Sequence, residues 1–379
     1  MATGTLVDFA PTLRLLLLAA LIALIPLSVV WLRARRGDAS VRLAHLTALT
    51  LFLTFDLIVF GAFTRLTDSG LGCPDWPGCY GHASPVGAAT HIDAAEAAMP
   101  TGPVTTSKAW IEMIHRYLAM TVGALILVMT VVSWLERRRL PHSPWWATFT
   151  LVWVIVQGLF GKYTVTLKLY PLVVTLHLLG GLFLLVLLAQ QHESLRDRSV
   201  ALKPRSRALL WLALGAIFVQ AALGGWVSTN YAVLACPDVP TCHGQWWPPM
   251  DFANGFTLKR ELGATAAGTF LPYDALVAIQ VVHRIGAVAL AVVLLVLAAA
   301  LRSEASPVAR RHALVIVLLL TAQVISGLSN VVLGWPIVAA LAHSAGAAAL
   351  VLLPSLLLAR SRQVSAANAP AMSAVAAAG

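Results

Sequence analysis

The sequence predicts an all-α membrane protein that consists of two pseudo-symmetric four-helix bundles, related by an internal duplication, and one extra transmembrane helix at the N-terminus. Three observations predict this fold: an apolar composition, nine long and nearly uncharged runs, and a motif that occurs twice. Hydrophobic residues make up 59% of the 379 residues and charged residues only 11%. A soluble protein of this length cannot bury so much apolar surface, whereas each membrane crossing needs about 20 such residues.

Nine apolar runs define the elements in chain order. They lie at 13–33, 45–64, 112–134, 146–166, 172–191, 207–229, 276–301, 312–333 and 337–358. The first run ends in an arginine-rich segment rather than a small-residue cleavage site, so we expect a retained helix and not a cleaved signal peptide. The predicted units are 1–44 (extra helix and basic loop), 45–200 (first bundle), 201–362 (second bundle) and 363–379 (disordered tail).

The positive charges fall in alternate loops between the runs, although the net charge is +10. They cluster at 33–42, 137–139, 196–207, 302–311 and 360–362. If nine helices alternate, these clusters share one side of the membrane, and the positive-inside rule makes that side the cytoplasm. The charge therefore indicates orientation in a bilayer and no nucleic-acid partner. The N-terminus and the loops at 65–111 and 230–275 would then lie outside and the C-terminus in the cytoplasm, most simply of a bacterial plasma membrane.

A short cysteine loop occurs twice, as Cys-Pro-Asp-Trp-Pro-Gly-Cys at 73–79 and Cys-Pro-Asp-Val-Pro-Thr-Cys at 236–242. All four cysteines lie in the outer loops, where the compartment is oxidising and thiols tend to pair. Prolines and an aspartate favour a tight turn, so we expect the disulfides Cys73–Cys79 and Cys236–Cys242. They could serve as structural staples or as a redox-active pair, and a metal site with His243 is a weaker alternative.

Four histidines occupy matched positions in the two repeats: His115 and His177 in the first, and His283 and His343 in the second. The intervals within the two pairs are 62 and 60 residues. A single membrane histidine can simply bond a neighbouring helix, but ionisable residues inside a membrane are expensive and usually functional. Two facing imidazoles in an apolar bundle suit a haem with two axial ligands. The repeat therefore predicts two stacked haem sites in the outer leaflet.

One acidic residue breaks the repeat. Glu112 precedes His115 by three residues on the same helical face, whereas Gln280 holds that position before His283. The acid could be a first-turn residue favoured by the helix dipole. The alternative is that the first site performs chemistry, with Glu112 accepting protons or stabilising a developing cation, and that the second site only holds a cofactor.

Other polar residues in the apolar runs have less specific interpretations. Arg116 and Arg284 could contact haem propionates through bidentate pairs or reach lipid headgroups. Asp56 within a helix could serve helix packing or a proton path. A Gln-x3-Gly spacing occurs three times, at Gln157 and Gly161, Gln220 and Gly224, and Gln323 and Gly327. The glutamines are expected to bond between helices and the glycines to allow close packing or room for a ring.

These residues resemble the haem A synthase family. The segments that carry the resemblance are Thr-Arg-Leu-Thr-Asp-Ser-Gly-Leu-Gly-Cys-Pro-Asp-Trp-Pro at 64–77, Glu-Met-Ile-His-Arg-Tyr at 112–117 and His-Arg-Ile-Gly at 283–286. The resemblance covers about 45–358 and implies two related four-helix bundles, so the helix at 13–33 departs from the family core. It also implies oxidation of the C8 methyl group of haem O to the formyl group of haem A, the haem of terminal oxidases.

The resemblance further implies a role for each site residue. His115 and His177 would ligate the substrate haem, His283 and His343 a haem b cofactor, and Glu112 would be the required acid. Haem O, the haem O synthase that supplies it, an unidentified electron donor or acceptor and the lipid bilayer are the implied partners, and a homo-oligomer stays open. The alternative function is a quinone-linked di-haem electron carrier, and a transporter with histidines along its path is a second rival.

Overall fold

The computed structural model describes residues 10–34, 37–196 and 198–376, and apart from three isolated bridges the secondary structure of these residues is helical. The helices are α1 (Ala10–Ala34), α2 (Ala39–Leu66), α3 (Ala89–Ala98), α4 (Thr106–Leu135), α5 (Trp145–Thr166), α6 (Pro171–Ser194), α7 (Pro204–Thr229), α8 (Phe252–Gly255), α9 (Tyr273–Arg302), α10 (Pro307–Val332) and α11 (Ile337–Ala376). The predicted all-α class is confirmed for this part of the chain.

Nine of the described helices are long and apolar enough to cross a membrane, and each coincides with one predicted run. The protein is therefore a multi-pass membrane protein. The short helices α3 and α8 lie in the two long loops and were not predicted. The sequence predicts a disordered tail at 363–379, but α11 continues to Ala376, because alanine, which is abundant there, has the highest helix propensity. Residues 377–379 lie outside the described part.

The long helices form two rings of four. In the first ring α2 packs against α4, α4 against α5, α5 against α6, and α6 against α2. The second ring runs in the same way through α7, α9, α10 and α11. Contacts of α6 with α7 and of α11 with α6 and α2 join the rings, and α1 packs outside the first ring on α2 and α4. This packing agrees with the predicted pair of bundles, while their origin by duplication stays a prediction.

Equivalent residues of the two repeats meet each other between the rings. Arg65 Nη2 donates to the Ser228 carbonyl at 2.5 Å, and the Tyr231 hydroxyl donates to Asp68 Oδ1 at 2.6 Å. Each partner lies 163 residues after its mate, which is also the offset between the two cysteine loops. In a two-fold arrangement residues near the axis contact their own equivalents, so these contacts support pseudo-two-fold symmetry between the halves.

The largest cluster of buried apolar residues lies on the opposite side of the histidines from the cysteine loops. Leu125, Met129, Leu185 and Leu188 are fully buried in one cluster that draws on both rings. Leu125 follows His115 by ten residues, which is about 15 Å along a helix. The packed inner half therefore anchors the helices, and the outer half carries the polar groups of the candidate site.

Candidate functional site

The four histidines lie on helices that are diagonally opposed in each ring. His115 on α4 faces His177 on α6, and His283 on α9 faces His343 on α11. Helices α4 and α9 begin earlier than the apolar runs suggest. His115 and His283 therefore lie nine and ten residues after the first residue of their helices, whereas His177 and His343 each lie six residues after theirs.

Each histidine ring packs against a glycine of the next helix in the ring. A β-carbon on the glycine would lie 3.0 to 3.7 Å from the nearest atom of the histidine ring. The four contacts are Gly61 with His115, Gly161 with His177, Gly224 with His283 and Gly327 with His343. Three of these glycines belong to the Gln-x3-Gly spacing, and Gly61 was missed because Leu57 replaces the glutamine before it. The glycines therefore allow the close approach of the imidazoles to the next helix, and room for a haem ring stays a prediction.

The three glutamines of this spacing also have one environment in common. Each lies against the glycine that follows a histidine by three residues: Gln157 against Gly180, Gln220 against Gly286 and Gln323 against Gly346. Gln220 Nε2 donates to the His283 carbonyl at 3.0 Å, and Gln323 Nε2 donates to the His343 carbonyl at 2.9 Å. The prediction that glutamines bond between helices is confirmed for these two.

Glu112 is buried, with 3% of its surface exposed, and it faces the first cysteine loop. Its Oε2 accepts from the Cys73 backbone N–H at 2.7 Å, and its Oε1 forms an ion pair with Arg116. Helix α4 begins at Thr106, so Glu112 lies in the second turn, and the interpretation as a first-turn acid does not hold. Its counterpart Gln280 instead donates to a loop carbonyl through Nε2.

Both predicted disulfides are formed, Cys73–Cys79 and Cys236–Cys242. The sulfur atoms are therefore not thiolate metal ligands, which removes the alternative of a metal site with His243. Within the described residues no group of three or more His, Cys, Asp or Glu side chains is arranged to hold a metal ion. The redox role of the pairs stays open.

The two cysteine loops have the same internal hydrogen bonds. The Asp75 carboxylate accepts from the backbone N–H groups of Tyr80 and Gly81, and Asp238 accepts in the same way from His243 and Gly244. For Asp238, the Thr241 hydroxyl and then these N–H groups lower the carboxyl pKa to about 2. The repeat in the sequence is thus a repeat of loop conformation.

The two arginines next to the histidines hold these loops against α4 and α9. Arg116 Nη1 donates to the carbonyls of Asp75, Pro77 and Gly78. Arg284 donates to the carbonyls of Asp238 and Thr241 through Nη1 and to that of Cys236 through Nη2. The second donor group of Arg116 goes to Glu112 instead. These contacts were not foreseen from the sequence, and contacts of Arg116 and Arg284 with haem propionates stay a prediction.

Asp56 lies near the middle of α2, and its side chain is exposed at the surface of the protein. It is one helical turn from Phe60, whose ring stacks on the His115 imidazole with 6.4 Å between the centroids. Among the described residues no hydrogen bond or ion pair to its carboxylate is seen. The proton-path and packing interpretations of Asp56 therefore both stay open.

Comparisons with known proteins agree with this architecture. Residues 44–354 match the sequence profile of the COX15-CtaA family, which is described as cytochrome oxidase assembly protein. A haem A synthase of Shewanella oneidensis is 40% identical over 82% of this chain and 94% of its own length. Haem A synthases of Caulobacter vibrioides and Shouchella clausii are 30% and 26% identical over 83% and 68% of the chain, and over 94% and 74% of their own lengths.

The fold and the site together define a class: multi-pass membrane proteins with a histidine pair across each of two helical rings. Within that class the chain belongs to the haem A synthase family of cytochrome oxidase assembly proteins. The match begins at residue 44, so α1 lies outside the segment that the family profile covers.

Proposed function

We propose that this protein is a haem A synthase, an oxidoreductase that converts the C8 methyl group of haem O into the formyl group of haem A. The observation that carries the proposal is the arrangement of one histidine pair across each helical ring, with an acid beside only one of the pairs. Relatives that are named haem A synthase support it, and one of them shares 40% of its residues over 82% of the chain. The product would supply terminal oxidases.

The residues around the histidines fit haem groups. Two imidazoles face each other across an apolar ring of helices, which is how helical bundles hold a flat macrocycle with two axial ligands. A glycine beside each imidazole leaves space that a β-carbon would fill. We assign His115 and His177 to the substrate haem O, and His283 and His343 to a haem b cofactor, which supplies electron transfer when it is bound.

The proposed reaction uses water as the oxygen source. One hydroxylation adds water to the methyl group and removes two electrons and two protons, which leaves a hydroxymethyl group. A second identical step gives a geminal diol, which loses water to become the aldehyde, so that four electrons and four protons leave in total. A substrate iron with two histidine ligands has no vacant position for oxygen. This ligation favours removal of electrons from the ring and capture of the resulting cation by water.

Glu112 is the residue that we assign to this chemistry. A carboxylate near the substrate can accept the protons that are released or stabilise the positive charge that develops. Its burial and its bond to the Cys73 N–H hold the group in one place, and fixed charges are worth more in a water-poor site than in solvent. The neutral Gln280 at the equivalent position fits a second site that holds a cofactor without chemistry.

The orientation and the partners belong to the same proposal. The arginine-rich loops would face the cytoplasm of a bacterium, and the N-terminus, the cysteine loops and the haem sites would lie at the outer side of the plasma membrane. Haem O would come from a haem O synthase, and electrons would pass to an unidentified acceptor.

Extraction of haem after incubation of the purified protein with haem O and an excess of a small-molecule one-electron acceptor tests the proposal. Mass analysis should show haem A, and the optical spectrum of the protein should be that of a haem with two histidine ligands. A coloured protein that leaves haem O unchanged would favour the di-haem electron carrier instead. A colourless protein would favour a transporter and end the haem assignment altogether.

A further inference from the structure

The two histidine pairs differ in what their Nδ1 atoms contact. In the second ring Ser326 Oγ lies 3.0 Å from His343 Nδ1, and Gln220 Nε2 lies 3.0 Å from His283 Nδ1. In the first ring the Nδ1 atom of His177 is buried and has no partner among the described residues. On the other side of the first ring of helices, the His115 imidazole stacks on the Phe60 side chain.

The sequence repeat locates the cause of this difference in two pairs of residues. The offset of 163 residues that relates the cysteine loops places Leu57 at the counterpart of Gln220. The offset of 166 residues that relates His177 to His343 places Phe160 at the counterpart of Ser326. Leucine and phenylalanine side chains offer no hydrogen bond. At these two positions the first ring therefore has an apolar residue and the second ring a polar one.

Ser326 is well placed to hold His343 in the form that binds iron. Its hydroxyl group donates to the Ala322 carbonyl at 2.8 Å, which leaves the oxygen free to accept from the ring N–H of His343. A histidine that donates through Nδ1 presents an unprotonated Nε2. A partner on the second nitrogen also fixes the ring orientation and raises the basicity of the ligand.

Gln220 positions His283 through the backbone of that residue. Its Nε2 donates to the His283 carbonyl and so ties the two helices together at the ligand. Its Oε1 is buried and has no partner in the part of the chain that the structure describes.

We infer that Ser326 and Gln220 are positioning residues that make the second histidine pair a strong and permanent haem ligand set. Leu57 and Phe160 leave the first pair without such support, so that the haem bound there is exchanged more readily. This inference rests on the proposed function, in which the first site must release its product after each reaction and the second must keep its haem b.

The experiment compares haem loss from purified full-length variants. Ser326→Ala and Gln220→Leu should each speed the loss of haem b to an excess of apomyoglobin by about 10-fold or more, the usual effect of removing such a partner. Extraction and mass analysis distinguish haem b from haem O and haem A. In Ser326→Ala the haem b midpoint potential should rise, because a less basic histidine ligand stabilises the oxidised iron less.

Two matched variants separate positioning from simple damage. Ser326→Thr keeps the hydroxyl group and should restore slow haem b loss and the original potential. Phe160→Ser introduces the missing hydroxyl group beside His177 and should slow loss of the haem from the first site without changing haem b. Circular dichroism and gel filtration in detergent show whether each variant is folded.

The outcomes distinguish this inference from the proposed function. If folded Ser326→Ala and Gln220→Leu proteins lose haem b at the wild-type rate and keep its potential, the inference is wrong, whatever the activity. If haem b loss accelerates as expected but the wild-type protein does not convert haem O, the proposed reaction fails while the positioning role stands. A wild-type protein that binds no haem would overturn both.

Discussion

Glu112 accepts a hydrogen bond at 2.7 Å from the backbone N–H of Cys73, the first residue of the first cysteine loop. Glu112 has no acidic counterpart in the second repeat, but it is bonded here to a loop that occurs in both repeats. In the second half the corresponding glutamine bonds a different part of its loop. The difference between the halves is therefore one of charge and of contact with the loop.

Glu112→Gln should separate the charge of this residue from its shape. The amide oxygen can still accept from the Cys73 N–H, so we expect the cysteine loop and both haem groups to be retained. Haem A formation should fall by about 10²- to 10⁴-fold, the usual contribution of a general acid or base. Extracted haem after incubation with haem O measures the effect.

Glu112→Ala serves as the more disruptive comparison. It removes the acceptor for Cys73 and leaves the buried Arg116 without its ion-pair partner. Loss of one partner from a buried pair costs about 3–5 kcal/mol, so this variant should also be less stable. Product at the wild-type level from the glutamine variant would exclude the carboxylate from the mechanism.

Glycine next to a histidine should be required for haem binding. At Gly224 a β-carbon would lie 3.1 Å from His283 Cε1, and the two methyl groups of valine would press further on the ring. We expect Gly224→Val to lose haem b. Gly215 on the same helix has no atom within 4 Å of such a β-carbon, so Gly215→Val should keep haem b, as measured by spectrum and extraction. Equal haem contents would mean that the glycine contact is incidental.

The guanidinium group of Arg284 should be needed to hold the second cysteine loop. Lysine keeps the charge but lacks the two-armed donor that reaches the carbonyls of Cys236, Asp238 and Thr241. Loss of one such charge-assisted bond costs about 1.5–3 kcal/mol. Amide hydrogen exchange in the loop of Arg284→Lys should therefore be faster by roughly tenfold or more, read by mass spectrometry.

Arg139→Lys is the matched control for that exchange experiment, because Arg139 is 78% exposed and pairs only with Glu136 at the surface. Its loop exchange should equal that of the wild-type protein. Unchanged exchange in Arg284→Lys would indicate that the disulfide and the aspartate hold the loop without the arginine.

The second cysteine loop should keep its order down to low pH. Hydrogen bonds from the Thr241 hydroxyl and from backbone N–H groups lower the pKa of Asp238 from its usual 3.8 to about 2. A lowered carboxyl pKa means that the stabilisation is complete above about pH 4 and is lost as the pH falls through the folded value. The protection factors of the loop amides in hydrogen exchange, which allow for the intrinsic pH dependence of exchange, should thus be constant from pH 4 upward and decline toward pH 2. Asp238→Asn should abolish this dependence, and a transition near pH 6 would contradict the assignment.

The ion pair between Glu193 and Arg360 should stabilise the junction of the two rings. It links α6 to α11 at 3.0 Å, and the Glu193 side chain is only 1% exposed. We expect Arg360→Ala to lower the unfolding free energy by about 1.5–3 kcal/mol for each hydrogen bond lost, because it removes the two charge-assisted bonds that Arg360 donates to the Glu193 carboxylate. Disruption of the exposed Arg139–Glu136 pair should cost about 0–1 kcal/mol. Thermal unfolding in detergent compares them, and equal losses would refute the special role of the buried pair.

The sequence alone determined the membrane helices and the disulfides, and it predicted interhelical bonds that two of the three glutamines form. Hydropathy marks a membrane helix because every apolar side chain in a bilayer-length run contributes to the same signal. The cysteine pairs could be read from a short repeat in loops predicted to lie in an oxidising compartment. A single histidine in a membrane helix does not identify a binding site. The histidine pairs could be proposed as sites because histidines stand at matched positions in both repeats. The bound haem and its chemistry are proposals that these residues support.

Only the tertiary structure decided which groups surround each histidine and each arginine. Helix rotation and the order of the rings bring Ser326 to His343 and Gly161 to His177, and no local pattern encodes those contacts. The arginines turn to loop carbonyls that lie about 40 residues away in sequence, and Glu112 finds its partner in the same loop. Such contacts depend on packing between elements that are distant in the chain, so they follow from the folded arrangement and not from the periodicity of any one helix.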